Sequence, residues 1–153
     1  MTDSIDAKLA ELGLTLPAAA APVAADVPTG EAGGMLHLSG QLPFRDGQVV
    51  TGRLGENLSL EEGQEAARLC GLMVLAQVRA ALGGFDRVRR VVKLGVFVNS
   101  TPGFTDQPKV ANGASELMAD VFGEAGRHAR AAVGVAALPL GAAVEVDAII
   151  ELG

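Results

Sequence analysis

The spacing of apolar side chains changes several times along the chain, and each change predicts a different element. Apolar residues recur at helical spacing over 4–12, which predicts a short amphipathic helix. The Pro- and Ala-rich stretch that follows, up to residue 28, predicts an extended arm because proline cannot continue a helix. Runs of alternating or β-branched residues predict strands at 33–43, 46–54 and 90–100, with a turn at 45–47.

Two longer segments have the three- and four-residue spacing of amphipathic helices. The first begins at Ser59, where S-L-E-E predicts a capping box with Glu62 as its third helical residue. The glycine pair 83–84 predicts the end of this helix. The second helix is expected to begin near Pro108 and to end at Gly123.

Two further runs of small and β-branched residues, 129–137 and 143–151, predict a terminal hairpin. Side chains alternate across a strand, so in this pairing Glu145 lies opposite Gly134 and Arg130 shares their face. The apolar side chains on the other face are expected to lie under the helices, since a one-residue slip would separate the two apolar sets.

The order of elements, β-β-α-β-α-β-β, predicts a single α+β domain over residues 1–153, with two helices on one face of a mixed sheet. The N-terminal helix and arm, residues 1–28, are an addition to that domain. A chain of 153 residues is long enough to bury one core. The core is expected to be aliphatic, because the chain is 49% hydrophobic but has only five Phe and neither Trp nor Tyr.

Charge and cysteine content exclude several classes of partner. The chain has 12 Lys and Arg against 18 Asp and Glu. Nucleic-acid binding draws its affinity from clustered cations, so no nucleic-acid partner is expected. Cys70, the one cysteine, falls in an apolar helical stretch and is expected to be a small buried side chain.

The chain also has no obvious membrane or export signal. No apolar run reaches the roughly 20 residues needed to span a bilayer. The N-terminus is charged where a signal peptide would be apolar. A cytoplasmic protein without membrane contact is therefore expected.

The face that Arg130, Glu145 and Asp147 are predicted to share is otherwise made of Ala and Gly, apart from Ile149. An arginine in such a hollow is typical of a carboxylate clamp, because the guanidinium presents paired donors to two oxygens. An Arg130–Glu145 ion pair with a structural role explains the same residues, and the spacing does not choose between the two. His37 and His128 lie on separate strands without nearby ligand partners, so neither a metal nor a cofactor is expected.

Four segments together resemble the reactive intermediate deaminase family, also called RidA or YjgF. They are LSGQLP, EEGQEAARLC, VVKLGVFVNS and the terminal pattern AR-x-x-V-x-V-x-x-LP-x-x-x-x-VEV. The likeness covers roughly residues 20–152 and is closest to a longer branch with an additional N-terminal helix. It implies a chorismate-mutase-like fold and a homotrimer whose sheets form an inner barrel, with three clefts between subunits. The surface expected to meet another subunit is the small, apolar face made of Ala132, Gly134, Ala136 and Ile149.

The resemblance also implies a function and a set of site residues. In deaminating members an arginine binds the carboxylate of a 2-imino or enamine acid, and water attacks the imine carbon to release ammonia. Matched position by position, Arg130 is the carboxylate clamp and Glu145 orients the water. Asn112 and Ser39 are wall residues, and the backbone N–H of Ala132 is a further donor to the substrate.

Three positions depart from the family pattern. Ala132 replaces a cysteine, Gly134 replaces a glutamate, and Asp26 stands where the family has a tyrosine. Gly134 is expected to open volume beside Glu145, and an Asp26 carboxylate in the cleft would repel an anionic substrate. A non-catalytic trimer that binds small carboxylates is therefore the alternative to a deaminase. An older endoribonuclease label of the family conflicts with the net charge of −6.

Overall fold

Seven strands and three α-helices make up the fold of this computed structural model, which describes residues 4–22 and 24–153. The strands are β1 (Thr29–Ala32), β2 (Met35–Gln41), β3 (Phe44–Arg45), β4 (Gln48–Val49), β5 (Val88–Asn99), β6 (Ala129–Val135) and β7 (Val144–Leu152). Five of them form the main sheet in the order β1-β2-β7-β5-β6, and β3 pairs with β4 in a separate two-stranded sheet. Within the main sheet β6 runs parallel to β5, and the other neighbours are antiparallel.

The helices are α1 (Ser4–Glu11), α2 (Leu60–Leu82) and α3 (Gln107–Phe122). The predicted capping box is present: the Glu62 N–H donates to the Ser59 hydroxyl at 3.1 Å, and the Ser59 N–H donates to the Glu62 carboxylate at 2.9 Å. Gly83 ends α2 in the left-handed conformation, with a φ of 72°. Helices α2 and α3 pack side by side on one face of the main sheet, which confirms the predicted α+β class.

The N-terminal addition packs along the domain. Helix α1 contacts α3 and buries Leu9. The arm that follows is held by the buried Gln77 of α2, whose Nε2 donates to the Ala20 carbonyl at 2.8 Å. Of the predicted segment 1–28, residues 1–3 and 23 lie outside the described residues.

Alternation along the central strands separates a buried face from an open one. Strand β7 places Val144, Val146, Ala148 and Ile150 under the helices, and each is at most 3% exposed. Burying one such aliphatic side chain contributes about 1.5–3 kcal/mol, so this face fixes the register of the sheet. Cys70 is fully buried in the same core, as predicted, and burial raises the pKa of its thiol.

The opposite face of the main sheet, here called the open face, has no helix packed on it in the described part of the chain. Its side chains include His37, Lys93, Phe97, Ala131, Val133, Glu145, Asp147 and Ile149. Val133 is 46% exposed, and Phe97 and Ile149 are half-buried. This face therefore combines apolar side chains with two carboxylates.

The predicted hairpin between 129–137 and 143–151 is wrong, because β5 lies between β6 and β7. Phe97 of β5 pairs with Val133 on one side and with Glu145 on the other. The period-two alternation of a strand is the same whichever strand lies beside it, so the pattern could not identify the partner. A buried strand such as β5 needs a hydrogen-bonding neighbour on each edge, and β6 and β7 are those neighbours.

The predicted face of β6 is also wrong. Leu94 of β5 pairs with Arg130 and is fully buried under the helices. Arg130 and, by alternation, Ala132 and Gly134 therefore point to the helix side. The face expected to meet another subunit is split, since Ile149 lies on the open face.

Gly134 does not open volume beside Glu145. A Cβ at Gly134 would lie 2.6 Å from the Ser100 hydroxyl and 2.8 Å from the Gln107 amide nitrogen. This glycine instead lets β6 pass close to the beginning of α3. Glu145 lies on the other side of the sheet.

The predicted strand 46–54 is shortened to β4, which is not part of the main sheet. The turn before it is confirmed: Asp46 and Gly47 have φ of 52° and 79°. Beyond β4 the chain crosses the end of the main sheet, where the Ala143 N–H donates to the Val50 carbonyl at 3.0 Å. This segment is thus held by contacts that are remote in sequence.

Two features are absent from the part of the chain that the structure describes. None of its helices has the length and apolar character to cross a membrane. Within residues 4–22 and 24–153, no three His, Cys, Asp or Glu side chains are grouped so as to bind a metal ion.

Candidate active site

Arg130 is oriented by two neutral side chains of α3. Its Nη1 donates to the Asn112 Oδ1 at 2.9 Å and to the Ser115 Oγ at 3.1 Å. Asn112 and Ser115 are three residues apart on the helix and so lie on one face of it. Arg130 is half-buried, and no carboxylate of the described residues lies within 4.0 Å of its guanidinium. The Arg130–Glu145 ion pair is therefore not formed within the chain.

A series of hydrogen bonds connects the Ser115 partner of this arginine to His128 and to the backbone. The His128 Nδ1 lies 2.6 Å from the Gly126 carbonyl, which can only accept, so Nδ1 carries the proton. The His128 Nε2 lies 2.8 Å from the Ser115 Oγ. That hydroxyl accepts from Arg130, and its own proton can be donated to Nε2. Ser115, His128 and Arg130 line a cavity of about 270 Å³.

Sequence reasoning treated His128 as an ordinary, partly exposed strand residue and did not consider Ser115. His128 in fact is half-buried just before β6, two residues ahead of Arg130 and on the same side. The spacing H-A-R was the available signal, because residues two apart in extended chain share a face.

The backbone of Ala132 points to the free edge of the main sheet. Strand β6 is the last strand of the sheet order, so half of its backbone groups have no strand partner there. On the β5 side, the Val135 carbonyl accepts the Ser100 N–H at 3.3 Å. Backbone groups alternate in direction along a strand, which directs the Ala132 N–H outward from the free edge of the sheet.

Glu145 lies half-buried on the open face, with its carboxylate against Gly40 of β2. A Cβ at Gly40 would overlap that carboxylate. Burial raises the pKa of Glu145, and repulsion by the nearby Asp147 raises it further. Burial also raises the pKa of Asp147, although the Gly95 N–H and the Lys93 ammonium oppose that shift.

Ser39 lies on the Glu145 side of the sheet, in a small pocket of about 70 Å³ that Gly40 and Asp26 also line. The Ser39 hydroxyl donates to the Val27 carbonyl at 2.7 Å. Asp26 therefore lies in the same pocket as one expected site residue, Ser39. This part of the molecule is acidic, whereas the surroundings of Arg130 are cationic and neutral.

The expected site residues thus form two groups that one chain does not bring together. Arg130, Asn112 and the Ala132 N–H form one group at the edge strand β6. Ser39 and Glu145 form the other group on β2 and β7. Strands β6 and β2 are three strand spacings apart, about 14 Å, and the side chains of Arg130 and Glu145 lie on opposite faces.

The fold is an α+β domain with two helices on one face of a mixed sheet, an oriented arginine at the sheet edge and a carboxylate on the open face. The chain belongs to the family described as "YjgF/chorismate mutase-like, putative endoribonuclease", whose model matches residues 6–152. The resemblance that the sequence motifs indicated is therefore confirmed, as is the chorismate-mutase-like fold.

Individual relatives agree with this membership. Protein TCP17 of Trypanosoma cruzi is 61% identical over 150 residues, which are 97% of this chain and 94% of that protein. The solved structure of Atu1372 from Agrobacterium tumefaciens, of unknown function, is 51% identical with a TM-score of 0.90, over 97% of this chain and 92% of that chain. The solved structure of a "putative endoribonuclease" from Shewanella oneidensis MR-1 is 34% identical with a TM-score of 0.93, over 97% of this chain and 99% of that chain. TdcF of E. coli, solved with bound serine, is 25% identical with a TM-score of 0.64, over 87% of this chain and 92% of that chain.

Proposed function

We propose that this protein hydrolyses reactive 2-imino or enamine acids, in clefts formed where two copies of the chain meet. The observation that carries the proposal is the state of Arg130. Its guanidinium is half-buried and held in one orientation by Asn112 and Ser115, yet it has no carboxylate partner within the described residues. A fixed, uncompensated guanidinium is a receptor for an external carboxylate.

The proposed assembly is a homotrimer. Its support is the separation of the two groups, because Arg130 can approach a Glu145 carboxylate only if that carboxylate belongs to another copy. The open face gives further support: Val133, Phe97 and Ile149 are apolar side chains that a second sheet would cover. Trimeric assembly is also what the family resemblance implies.

In the proposed reaction, Arg130 and the Ala132 N–H bind the carboxylate of a protonated 2-imino acid. A water oxygen bonds to the imine carbon, the C=N π pair moves to nitrogen, and a water proton passes to Glu145 of the neighbouring copy. Glu145 then returns that proton to the nitrogen. The C–N bond breaks as the hydroxyl oxygen forms C=O, and the hydroxyl proton leaves with ammonia as ammonium. The products are a 2-oxo acid and ammonium, and no cofactor is required.

The raised pKa of Glu145 suits both halves of this proton transfer. A carboxylate with a raised pKa is a stronger base toward water and, once protonated, still a competent acid toward the departing nitrogen. The proposed setting is the cytoplasm, where PLP-dependent elimination on serine or threonine would generate such imines.

A non-catalytic trimer that binds small carboxylates is the second candidate. The pocket of Asp26 and Ser39 favours it, because a carboxylate in the pocket of an expected wall residue opposes the approach of an anionic substrate. The replacement of the family cysteine by Ala132 also favours it. TdcF binds serine, an amino acid, which fits either a carboxylate substrate or a carboxylate ligand.

Endoribonuclease activity, the label in the family description, has weaker physical support. The net charge is −6, and an overall negative charge opposes binding to the RNA phosphate backbone. RNA binding without clustered cations or stacking aromatics would lack its main sources of affinity.

The test of the proposal is the release of ammonia from imines that an amino-acid oxidase generates in situ. We expect the protein to accelerate release above the spontaneous rate, and Arg130→Ala to remove that acceleration. Binding of 2-oxobutanoate without acceleration for any imine in a panel of small and bulky side chains would assign the protein to the binder class instead.

A further inference from the structure

Arg53 resembles Arg130 in its surroundings, although it lies in a different cleft. Its Nε donates to the Asn99 Oδ1 at 3.1 Å and its Nη2 to the Ala136 carbonyl at 2.6 Å. Among the described arginines, only Arg53 and Arg130 are half-buried and held by neutral acceptors. No carboxylate within residues 4–22 and 24–153 lies within 4.0 Å of Arg53.

The orientation of Arg53 is fixed by more than one layer of contacts. The Asn99 Nδ2 donates to the Ala142 carbonyl at 3.1 Å, so the oxygen that receives the Arg53 Nε cannot turn away. Asn99 is only 6% exposed. Arg53 lines the adjoining cleft, and its Nη1 has no hydrogen-bond partner among the described residues, so this nitrogen is available to a ligand there.

That cleft has a volume of about 570 Å³, within the roughly 300–1,000 Å³ range of small-molecule sites. Its polar side chains beside Arg53 include Thr101 and Thr105, while Phe104 and Val135 supply apolar wall. Gly134 forms part of the floor. A side chain at that position would collide with Ser100 and Gln107, so the glycine lets the floor and the beginning of α3 meet.

The chemistry of the cleft selects one class of ligand. Arg53 is the only cationic side chain among its described lining residues, so it balances one negative charge. The two oxygens of a carboxylate can take the free Arg53 edge and a threonine hydroxyl together. An apolar group attached to that carboxylate would lie against Phe104 and Val135.

We propose that this cleft is a second ligand site, separate from the Arg130 site, for a small monocarboxylate with an apolar side group. Arg53 binds the carboxylate and Thr101 completes its hydrogen bonds, while Thr105 lies on the exposed wall of the cleft. The site does not depend on the proposed deaminase, because none of its residues belongs to the Arg130 or Glu145 groups.

The test is a titration of the full-length protein with benzoate, followed by NMR of the arginine Nε–Hε signals. Arg53→Lys and Arg130→Lys assign the two signals. We expect benzoate to shift the Arg53 signal saturably. Thr105→Glu, which adds a carboxylate at an exposed wall position, should weaken that binding roughly tenfold or more by neutralising Arg53. The matched Thr105→Gln should leave it within about twofold.

Each outcome separates this inference from the proposed function. An Arg53 signal that does not respond to benzoate, while the Arg130 signal does, would overturn the second site alone. Equal weakening by Thr105→Glu and Thr105→Gln would show that charge at Arg53 does not drive the binding, which also contradicts it. Inorganic phosphate binding at Arg53 as tightly as benzoate would overturn the proposed ligand class.

Discussion

Arg130 and Glu145 lie on opposite faces of one sheet, with β5 between their strands. Arg130 pairs in register with the buried Leu94 of β5, whereas Glu145 pairs with Phe97 of β5, whose side chain is on the open face. A reaction that uses both side chains therefore needs two copies of the chain.

Replacing Arg130 by Ala should abolish carboxylate binding without unfolding the protein. The side chain is half-exposed and bonded only to neutral acceptors, so its loss costs little stability. Loss of a charged, partly desolvated contact typically costs about 2–5 kcal/mol of binding free energy. Calorimetry with 2-oxobutanoate measures this, and Arg45→Ala is the matched control because Arg45 is exposed, has Glu65 as partner and does not line the Arg130 cavity. Unchanged affinity in Arg130→Ala would make Arg130 a structural residue.

Gly40→Ala should reduce turnover while leaving the fold intact. An added Cβ would overlap the Glu145 carboxylate, which is the end of a flexible side chain and can move away. We expect kcat to fall about tenfold or more, because small displacements of a catalytic group have large effects. The thermal midpoint should change by only a few degrees. A wild-type kcat with a displaced Glu145 would argue against its role in activating water.

Glu145→Gln should stabilise the protein at neutral pH while it removes activity. The folded-state pKa of Glu145 is raised, so its ionisation opposes folding above that raised pKa and has no such effect below the ordinary value of 4.5. The gain in unfolding free energy should therefore be largest near pH 7–8 and should shrink as the pH falls toward 4.5. Urea unfolding across this range is the measurement, with Glu56→Gln at an exposed loop as control. A gain independent of pH would rule out this cause.

His128→Phe should weaken substrate binding more than it slows catalysis. Without its acceptor the Ser115 hydroxyl is free to turn, and Arg130 then loses a fixed partner. The loss of about one hydrogen bond corresponds to a KM increase of roughly three- to tenfold, with a smaller change in kcat. His128→Gln retains an acceptor and should recover most of the affinity. Equal effects of Phe and Gln would mean that the ring only fills space.

The parts of the fold that depend on neighbours in sequence were predictable. The capping box at Ser59 and the glycine that ends α2 are local signals, and both are present. The strand partners of β6 were not predictable, because alternation carries no information on which strand lies beside it. Because the strand pairing was predicted wrongly, Arg130 was assigned to the wrong face of the sheet. For the same reason Gly134 was expected to open volume beside Glu145, which it does not.

The contact between two expected site residues agrees with the sequence, but the arrangement of the others was not predictable. The family motif indicated Arg130 and Asn112, which the structure brings together at 2.9 Å. The contribution of His128 and Ser115 was missed, because it depends on contacts between α3 and the segment before β6. The position of Glu145 on the face opposite Arg130 could be recognised only from the observed order of the strands.

The most direct test of the account is complementation between two inactive variants. Arg130→Ala and Glu145→Gln chains are co-expressed in equal amounts, and native mass spectrometry verifies that mixed trimers form. If each cleft takes Arg130 from one copy and Glu145 from the next, about one cleft in four receives both intact residues by chance. The account predicts about a quarter of the wild-type deaminase activity in the mixture. Mixed trimers with no more activity than either variant alone would contradict it.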